Sequence, residues 1–231
     1  MAHSVAKLVA DAVPPRSKNP TNPNVGPTVI LLITLFSVKR IAIFASGSGS
    51  NAEKVAAYFT GSADVSIELI VSNNPKAGVI ERARRLHIPV LLFDRTTFYQ
   101  TDRITQLLQQ QHIDLIVLAG FMWLMPAGLI RAFPDRIVNI HPALLPKFGG
   151  KGMYGHFVHE AVVAAGETES GITIHFVNEQ YDEGAPIFQA STPVAPTDTP
   201  DDVARKVQVL EHDHYPRVVA DVLAALPDPI P

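Results

Sequence analysis

The sequence predicts an α/β protein with a Rossmann-like, mostly parallel sheet flanked by helices and an antiparallel C-terminal portion. Two observations lead to this fold class. Between residues 40 and 119, short apolar runs alternate with helical segments, which is typical of parallel strands joined by right-handed crossovers. After residue 141 the pattern changes to two strands separated by a polar loop, which favours antiparallel pairing.

The first half of the chain contains four predicted strands with three helices between them. The strands are residues 40–44, 65–71, 89–93 and 113–119, and the helices are residues 53–59, 77–86 and 97–110. The last of these strands, Ile113-Asp-Leu-Ile-Val-Leu-Ala119, is almost continuously apolar. We expect it to be a central parallel strand, covered on both faces.

The second half contributes the remaining strands and one long helix. Another apolar run, residues 136–140, precedes the two strands at residues 172–177 and 186–193. A helix is predicted over residues 199–226. Pro216 lies inside this helix and is expected to kink or split it, because proline lacks the backbone N–H and clashes with the preceding turn.

Composition excludes several classes of function. The 231 residues are 47% hydrophobic, which suits one sizeable domain with a proper core. A formal net charge of −3 argues against nucleic acid as a partner, since no basic stripe would neutralise phosphates. The absence of cysteine excludes disulfides, thiolate zinc sites and cysteine nucleophiles, and it fits a reducing compartment. We therefore expect a cytoplasmic protein.

Residues 1–38 differ from the rest of the chain. They are polar, rich in proline and without periodicity, which predicts a disordered extension. The apolar run Val29–Phe36 is too short to span a bilayer, and no small-x-small cleavage site precedes Val38. We expect a dispensable extension, a single folded domain over residues 39–231, and no membrane partner.

An amide and an imidazole stand two residues apart in Asn139-Ile-His141-Pro142. Residues i and i+2 of a strand point to the same face, so both side chains are expected in one cleft. Pro142 favours extended geometry at His141. An uncharged donor can stabilise an oxyanion, and a group that titrates near neutrality can move a proton, so the pair suits acyl or formyl transfer. A core asparagine followed by a strand-end histidine is the alternative.

A glycine loop, Ala45-Ser-Gly-Ser-Gly-Ser-Asn51, follows the first strand and precedes a helix. Free N–H groups at a helix start can bind an anion that glycines allow to approach. The loop opens like a dinucleotide motif, but Ala52 occupies the third glycine position and no acidic residue clearly follows the second strand. We therefore favour a site for a phosphate monoester, with a plain strand-to-helix turn as the alternative.

Two further loops are expected at the same cleft. Leu118–Pro126 places large apolar groups after the central strand, where a flat aromatic ligand could lie or where the loop could simply pack under the next helix. Asp182 lies in the polar loop between the C-terminal strands. Its carboxylate could orient His141 and a water, or it could cap the turn before Gly184.

Metal binding is not predicted. His156 and His159 lie three residues apart on a predicted helix, but no third ligand stands at a suitable spacing. His212 and His214 are two residues apart on a helix, so they face different directions.

Four motifs together resemble the glycinamide ribonucleotide formyltransferases, a folate-dependent family. They are Gly47-Ser-Gly-Ser-Asn51, Leu118-Ala-Gly-Phe121, Asn139-Ile-His-Pro142 with Leu144-Leu-Pro-Lys147, and Asp182-Glu-Gly184. The resemblance covers residues 39–222, with the motifs in the family's order. It implies the formyltransferase fold and transfer of a formyl group from 10-formyltetrahydrofolate, as co-substrate, to the amine of 5'-phosphoribosylglycinamide, without a metal.

The resemblance also implies residue roles. Asn139 would stabilise the oxyanion, His141 would relay the proton, and Asp182 would hold a water and orient the imidazole. The residues implied to bind the substrate are Gly49, Ser50, Asn51 and Glu211. Those implied to contact the folate are Phe121, Met122, Trp123, Leu124, Asn178, Glu179, Gln180 and Tyr181. A monomer or weak homodimer is expected.

The chain departs from the family pattern in two places. Trp123 stands where bacterial relatives often carry arginine, and the glycine-rich loop at residues 148–155 is slightly longer. An arginine that assists phosphate binding is expected within residues 95–103.

Alternative functions remain open. One is a formyltetrahydrofolate hydrolase, which is disfavoured because no regulatory segment precedes the domain. The other is a non-catalytic phosphate- or nucleotide-binding module. A transfer-RNA formyltransferase would need a further C-terminal domain.

Overall fold

A seven-stranded mixed sheet organises the part of the chain that the computed structural model describes, residues 38–227. The strands are β1 (Lys39–Phe44), β2 (Val65–Ser72), β3 (Val90–Leu92), β4 (Leu115–Leu118), β5 (Ile137–His141), β6 (Glu169–Phe176) and β7 (Pro186–Pro193). The helices are α1 (Ser50–Tyr58), α2 (Val79–Arg85), α3 (Arg95–Gln100), α4 (Arg103–Gln110), α5 (Ala127–Ala132), α6 (His156–Ala164) and α7 (Pro200–Ala225).

The sheet order is β3-β2-β1-β4-β5-β6-β7. The first five strands in this order pair in parallel, whereas β5–β6 and β6–β7 are antiparallel. This confirms the predicted fold class, including the antiparallel C-terminal portion. Strand β4 lies at the centre of the sheet and is fully buried, as its apolar sequence predicted.

Strand alternation divides the apolar side chains between two cores. Ile41 and Ile43 belong to one buried cluster, and their neighbours Ala42 and Phe44 belong to another. Because successive side chains of a strand point to opposite faces, these clusters lie on the two faces of the sheet. The sheet is therefore covered on both sides, and the ends of its strands are left to form a site.

Helix α7 covers one of these faces without interruption. A capping box starts it, in which Thr199 and Asp202 each bind the other's backbone N–H. The predicted split at Pro216 is wrong, because the helix continues through that residue. Pro216 is buried beside Tyr215 and Val219, and we attribute the continuity to this packing, which offsets a proline cost of roughly 3 kcal/mol.

The helix predicted over residues 97–110 is two helices, α3 and α4. Thr101 adopts extended dihedrals (φ −139°, ψ 159°), and its hydroxyl donates to the carbonyl of Thr97 at 2.7 Å. This local bond ends α3 and allows Asp102 to begin α4.

Two expectations about the organisation of the chain concern its N-terminal extension and the crossing of a membrane. The predicted disordered extension, residues 1–38, lies outside the described residues except for Val38, which is exposed. Within residues 38–227, none of the helices combines the length and apolar character that a membrane crossing needs.

Candidate active site

A cavity of about 620 Å³ opens at the carboxyl ends of β1, β4 and β5. From β1 the sheet extends through β2 in one direction and through β4 in the other. Such a reversal of strand order leaves a crevice at the strand ends, which is where ligands bind in open α/β sheets.

The glycine loop at residues 47–51 forms one end of the cavity. Gly49 adopts a left-handed conformation (φ 78°) immediately before α1, so the chain turns sharply into the helix. The first N–H groups of α1 have no partner within the helix, and Gly49, Ser50 and Asn51 all line this end of the cavity. The Ser46 N–H donates to the carbonyl of Gly120 at 3.0 Å, which ties this loop to the one after β4. The loop therefore has the form predicted for an anion site.

Helix α7 packs beside this loop and contributes polar side chains to it. The Asn51 Nδ2 donates to Glu211 Oε2 at 2.9 Å, and Gln208 Nε2 lies 3.5 Å from Ser50 Oγ. Burial raises the pKa of Glu211, although the hydrogen bond from Asn51 opposes this. The hydrogen bond to Glu211 thus holds the side chain of Asn51 in place at the end of the loop that lines the cavity.

Asn139 and His141 both line the cavity, as their spacing on β5 predicted. The register of β5 with β6 places His175 opposite Asn139, and Asn139 Nδ2 lies 3.1 Å from His175 Nε2. The Nδ1 of His175 lies 2.8 Å from the carbonyl of Phe176, which can only accept, so Nδ1 carries the hydrogen. With the hydrogen on Nδ1, the Nε2 of His175 can accept from Asn139, which holds the amide in place and leaves its second N–H for a ligand.

The imidazole of His141 is held between a carbonyl and a carboxylate. Its Nε2 donates to the carbonyl of Phe148 at 2.8 Å, and its Nδ1 lies 3.5 Å from Asp182 Oδ2. In the neutral ring Nδ1 is then the unprotonated nitrogen, and it is the one beside the carboxylate. A proton arriving at Nδ1 would create an imidazolium next to Asp182.

Burial lowers the pKa of His141, and the nearby charge of Asp182 and the Phe148 carbonyl only partly oppose this. Burial alone would raise the pKa of Asp182, but the neighbouring imidazoles of His175 and His141 and the Gly150 N–H together lower it. Near neutral pH the pair is therefore a neutral imidazole beside an ionised carboxylate. This is the protonation state that a proton acceptor needs.

Asp182 does not act as a simple turn cap. It adopts a left-handed backbone conformation (φ 56°), and its Oδ2 accepts from the Gly150 N–H at 2.9 Å. Its Oδ1 lies 3.7 Å from His175 Nε2. The carboxylate thus faces both imidazoles and the glycine-rich loop, which favours the orienting role over the capping role.

An apolar wall forms the other end of the cavity. Phe121, Met122, Trp123 and Leu124 all line it, and Phe121 and Trp123 also pack into an aromatic cluster with Phe93 and Phe98. The Met122 side chain is 45% exposed, so it is available to a ligand.

The polar loop before β7 contributes only part of the predicted folate set to the cavity. Gln180 and Tyr181 line it, whereas Asn178 and Glu179 do not. Asn178 Oδ1 accepts from the Gln180 N–H at 3.0 Å, and Glu179 pairs with Arg131 at 3.1 Å. A folate role for Asn178 and Glu179 stays a prediction.

An arginine that assists phosphate binding was expected within residues 95–103, and this expectation stays a prediction. Neither Arg95 nor Arg103 lines the cavity. The guanidinium of Arg95 lies over the rings of Tyr99 (5.0 Å) and Trp123 (5.5 Å), because the aromatic surface there attracts it.

Sequence reasoning missed several polar residues of the cavity, and three of them are His159, His175 and Gln208. Burial lowers the pKa of His159 to about 4, and its Nδ1 is buried without a hydrogen-bond partner. None of the three belongs to a local motif, so only the pairing of β5 with β6 and the packing of α6 and α7 identify them.

In the part of the chain that the structure describes, no three or more metal-ligating side chains converge on one point. His156 instead lies near two carboxylates, Glu160 at 3.4 Å and Asp201 at 3.7 Å.

Comparison with known proteins gives a consistent result. The family model for formyl transferases matches residues 39–219. The chloroplastic phosphoribosylglycinamide formyltransferase of Arabidopsis thaliana is 43% identical over 190 residues, covering 80% of this chain and 65% of that protein. The phosphoribosylglycinamide formyltransferase of Haemophilus influenzae is 36% identical over 187 residues, covering 79% of this chain and 86% of that protein. The chain spans 65% and 60% of the lengths of its Arabidopsis and Vigna unguiculata relatives, less than two thirds in each case.

Solved structures agree with the sequence relatives. The phosphoribosylglycinamide formyltransferase of Anaplasma phagocytophilum superposes with a TM-score of 0.74 at 33% identity, covering 83% of this chain and 92% of that chain. The enzyme of Bacillus halodurans gives a TM-score of 0.72 at 36% identity, covering 81% of this chain and 96% of that chain.

Proposed function

Because the chain belongs to the formyl transferase family, we propose that it transfers a formyl group from 10-formyltetrahydrofolate to the amine of 5'-phosphoribosylglycinamide in purine (IMP) biosynthesis. The observation that carries this proposal is the arrangement of Asn139, His141 and Asp182 on one wall of a cavity whose far end is the glycine loop at residues 47–51. A cytoplasmic location is also part of the proposal: the absence of cysteine fits a reducing compartment, and two plant relatives are named as chloroplastic.

The three polar side chains divide the chemistry between them. As the amine nitrogen bonds to the formyl carbon, the free N–H of Asn139 donates to the developing oxyanion. His141 takes a proton from the attacking nitrogen at Nδ1, and Asp182 stabilises the resulting imidazolium. His141 then returns the proton to the folate nitrogen as the bond between that nitrogen and the formyl carbon breaks. The products are formylglycinamide ribonucleotide and tetrahydrofolate.

The glycine loop is proposed to bind the substrate phosphate. Gly49, Ser50 and Asn51 would donate backbone N–H groups at the start of α1, where the helix dipole also favours an anion. Glu211 would accept from the ribose hydroxyls. Its hydrogen bond from Asn51 holds the carboxyl group at this loop.

The apolar wall is proposed to bind the folate. Phe121, Met122, Trp123 and Leu124 offer an apolar surface, and Gln180 and Tyr181 lie on the polar side of the same cavity. Phe121 and Trp123 are held by their packing with the aromatic cluster, so this surface is formed before the ligand arrives.

A product assay tests the function and separates it from the alternatives. The protein is supplied with 10-formyltetrahydrofolate, with and without glycinamide ribonucleotide, and both the formylated ribonucleotide and free formate are measured. The proposal predicts formylated ribonucleotide and tetrahydrofolate in equal amounts. Formate release that needs no amine would instead indicate a hydrolase, and no turnover of either kind would indicate a binding module.

A further inference from the structure

The cavity contains few positive charges for a site that is proposed to bind a phosphate dianion. Among the described residues that line it, Lys151 is the only lysine or arginine. Two carboxyl groups, Asp182 and Glu211, line the same cavity. A phosphate entering this space needs a cation to offset its own charge and that of Asp182.

The buried histidines do not supply that cation. Burial lowers the pKa of both His141 and His159, the latter to about 4, so both are neutral near pH 7. His175 already uses both ring nitrogens, Nε2 with Asn139 and Nδ1 with the carbonyl of Phe176, so neither is available to a phosphate. His156, the fourth imidazole, already faces two carboxylates.

Two basic side chains lie near the glycine loop but outside the cavity, and neither is placed to bind the phosphate. Arg82 forms an ion pair with Glu53, and its Nε donates to the carbonyl of Ser48 at 2.8 Å, so it supports the loop from outside the cavity. Lys76 is exposed in the segment before α2 and does not line the cavity.

Lys151 is free to turn toward a ligand. It is exposed and has neither an ion pair nor a hydrogen bond among residues 38–227. It stands between Gly150 and Gly152, both in left-handed conformations (φ 93°). The Gly150 N–H is bound to Asp182, so the backbone before Lys151 is anchored at the catalytic wall.

The far end of the same loop is anchored near the phosphate end of the cavity. His156, where α6 begins, lies 3.7 Å from Asp201 on α7. Two turns further along α7, Gln208 reaches Ser50 of the glycine loop. The loop that carries Lys151 thus passes from Asp182 to the helix that borders the glycine loop.

We propose that Lys151 is the residue that supplies positive charge to the substrate phosphate, from a loop that lines the same cavity as Ser50 and Asn51. This proposal rests on the proposed function and adds a binding residue to it. The lysine is suited to this role because its ammonium is a mobile point charge on a flexible stem. It would reach the phosphate from the opposite side to α1.

Calorimetric titration of the full chain tests the proposal. Lys151→Gln is compared with Lys151→Arg, which keeps the charge, and with Lys76→Gln, which removes an exposed lysine close to the glycine loop but outside the cavity. Each protein is titrated with glycinamide ribonucleotide and with glycinamide riboside, which lacks the phosphate. Loss of one charge-assisted hydrogen bond predicts roughly tenfold to a hundredfold weaker ribonucleotide binding by Lys151→Gln. Riboside binding, and ribonucleotide binding by the other two variants, should change less than about threefold.

Three outcomes would overturn the assignment. Unchanged ribonucleotide affinity in Lys151→Gln would remove Lys151 from the phosphate site. Equal weakening for ribonucleotide and riboside would show that the lysine acts on loop position and not on the phosphate. An equal loss of ribonucleotide affinity in Lys76→Gln would show that any nearby positive charge strengthens binding, so that Lys151 has no specific role. If the unmodified protein binds no ribonucleotide at all, the proposed function fails together with this inference.

Discussion

Replacing Gly49 with alanine should lower the free energy of unfolding even when no ligand is present. A Cβ at Gly49 would lie 2.5 Å from both the Cβ and the Cγ2 of Val79 and 2.7 Å from its Cα. Val79 is fully buried, so it has no room to yield. The left-handed backbone (φ 78°) adds about 1–2 kcal/mol for a residue with a Cβ. Overpacking of this kind costs typically about 1–3 kcal/mol.

The two contributions predict a loss of roughly 2–5 kcal/mol in the free energy of unfolding. Urea unfolding of Gly49→Ala measures it, with Gly47→Ala as the matched control, because a Cβ at Gly47 meets nothing within 4 Å. Gly47→Ala should stay within about 0.5 kcal/mol of the parent protein. Equal stability of the two variants would refute the reasoning. A branched residue at Gly49 is therefore a poor probe of the phosphate site, since fold and ligand would be lost together.

Three further predictions concern ionisation and packing around the site. Asp182→Asn should lower the pKa of His141, because the carboxylate raises it; an NMR titration that finds a higher pKa would contradict this. His159→Gln should lessen the loss of stability on acidification. The native His159 stays neutral down to about pH 4, whereas the unfolded chain takes up its proton near pH 6.5, so folding loses up to about 1.4 kcal/mol per pH unit between these values. Urea unfolding at pH 7.5 and 4.5 measures this, and an equal drop in both proteins would contradict it. Tyr215→Phe should lower the free energy of unfolding by about 1 kcal/mol in the same assay, because the buried Tyr215 hydroxyl donates to the carbonyl of Leu118 at 2.9 Å. Tyr58→Phe, at an exposed position, is the control and should change it little.

The sequence predicted the sheet well because each parallel strand carries its own apolar pattern. Ile113–Ala119 is an example, since its continuous apolar run defines the central strand before any tertiary contact is known. The break at Thr101 was missed, because a single extended residue with a local side-chain bond leaves the helical periodicity of its neighbours intact. At Pro216 the error was the opposite one, because a split was predicted where the helix continues. The packing of Pro216 outweighs the backbone cost of a proline inside a helix.

The candidate site was predictable where a motif is contiguous and not where it depends on pairing. Asn139 and His141 share a strand, so their common orientation follows from the two-residue period. His175 is an isolated histidine in another strand, and only the antiparallel register places it against Asn139. The phosphate-site arginine expected within residues 95–103 was a family inference without a local pattern. Arg95 instead stacks on Tyr99 and Trp123.

The most direct test of the account is single-turnover formyl transfer by Asn139→Ala, His141→Ala and the double variant, with glycinamide ribonucleotide affinity measured in parallel. Loss of the oxyanion donor should cost about 3 kcal/mol, or roughly a hundredfold or more in rate. Loss of the proton acceptor should cost roughly two to four powers of ten. The two losses should not add fully, because both side chains act on one tetrahedral intermediate, and ribonucleotide affinity should change far less than turnover. Near-normal turnover in either single variant, with the fold intact, would contradict the assignment of these residues to catalysis.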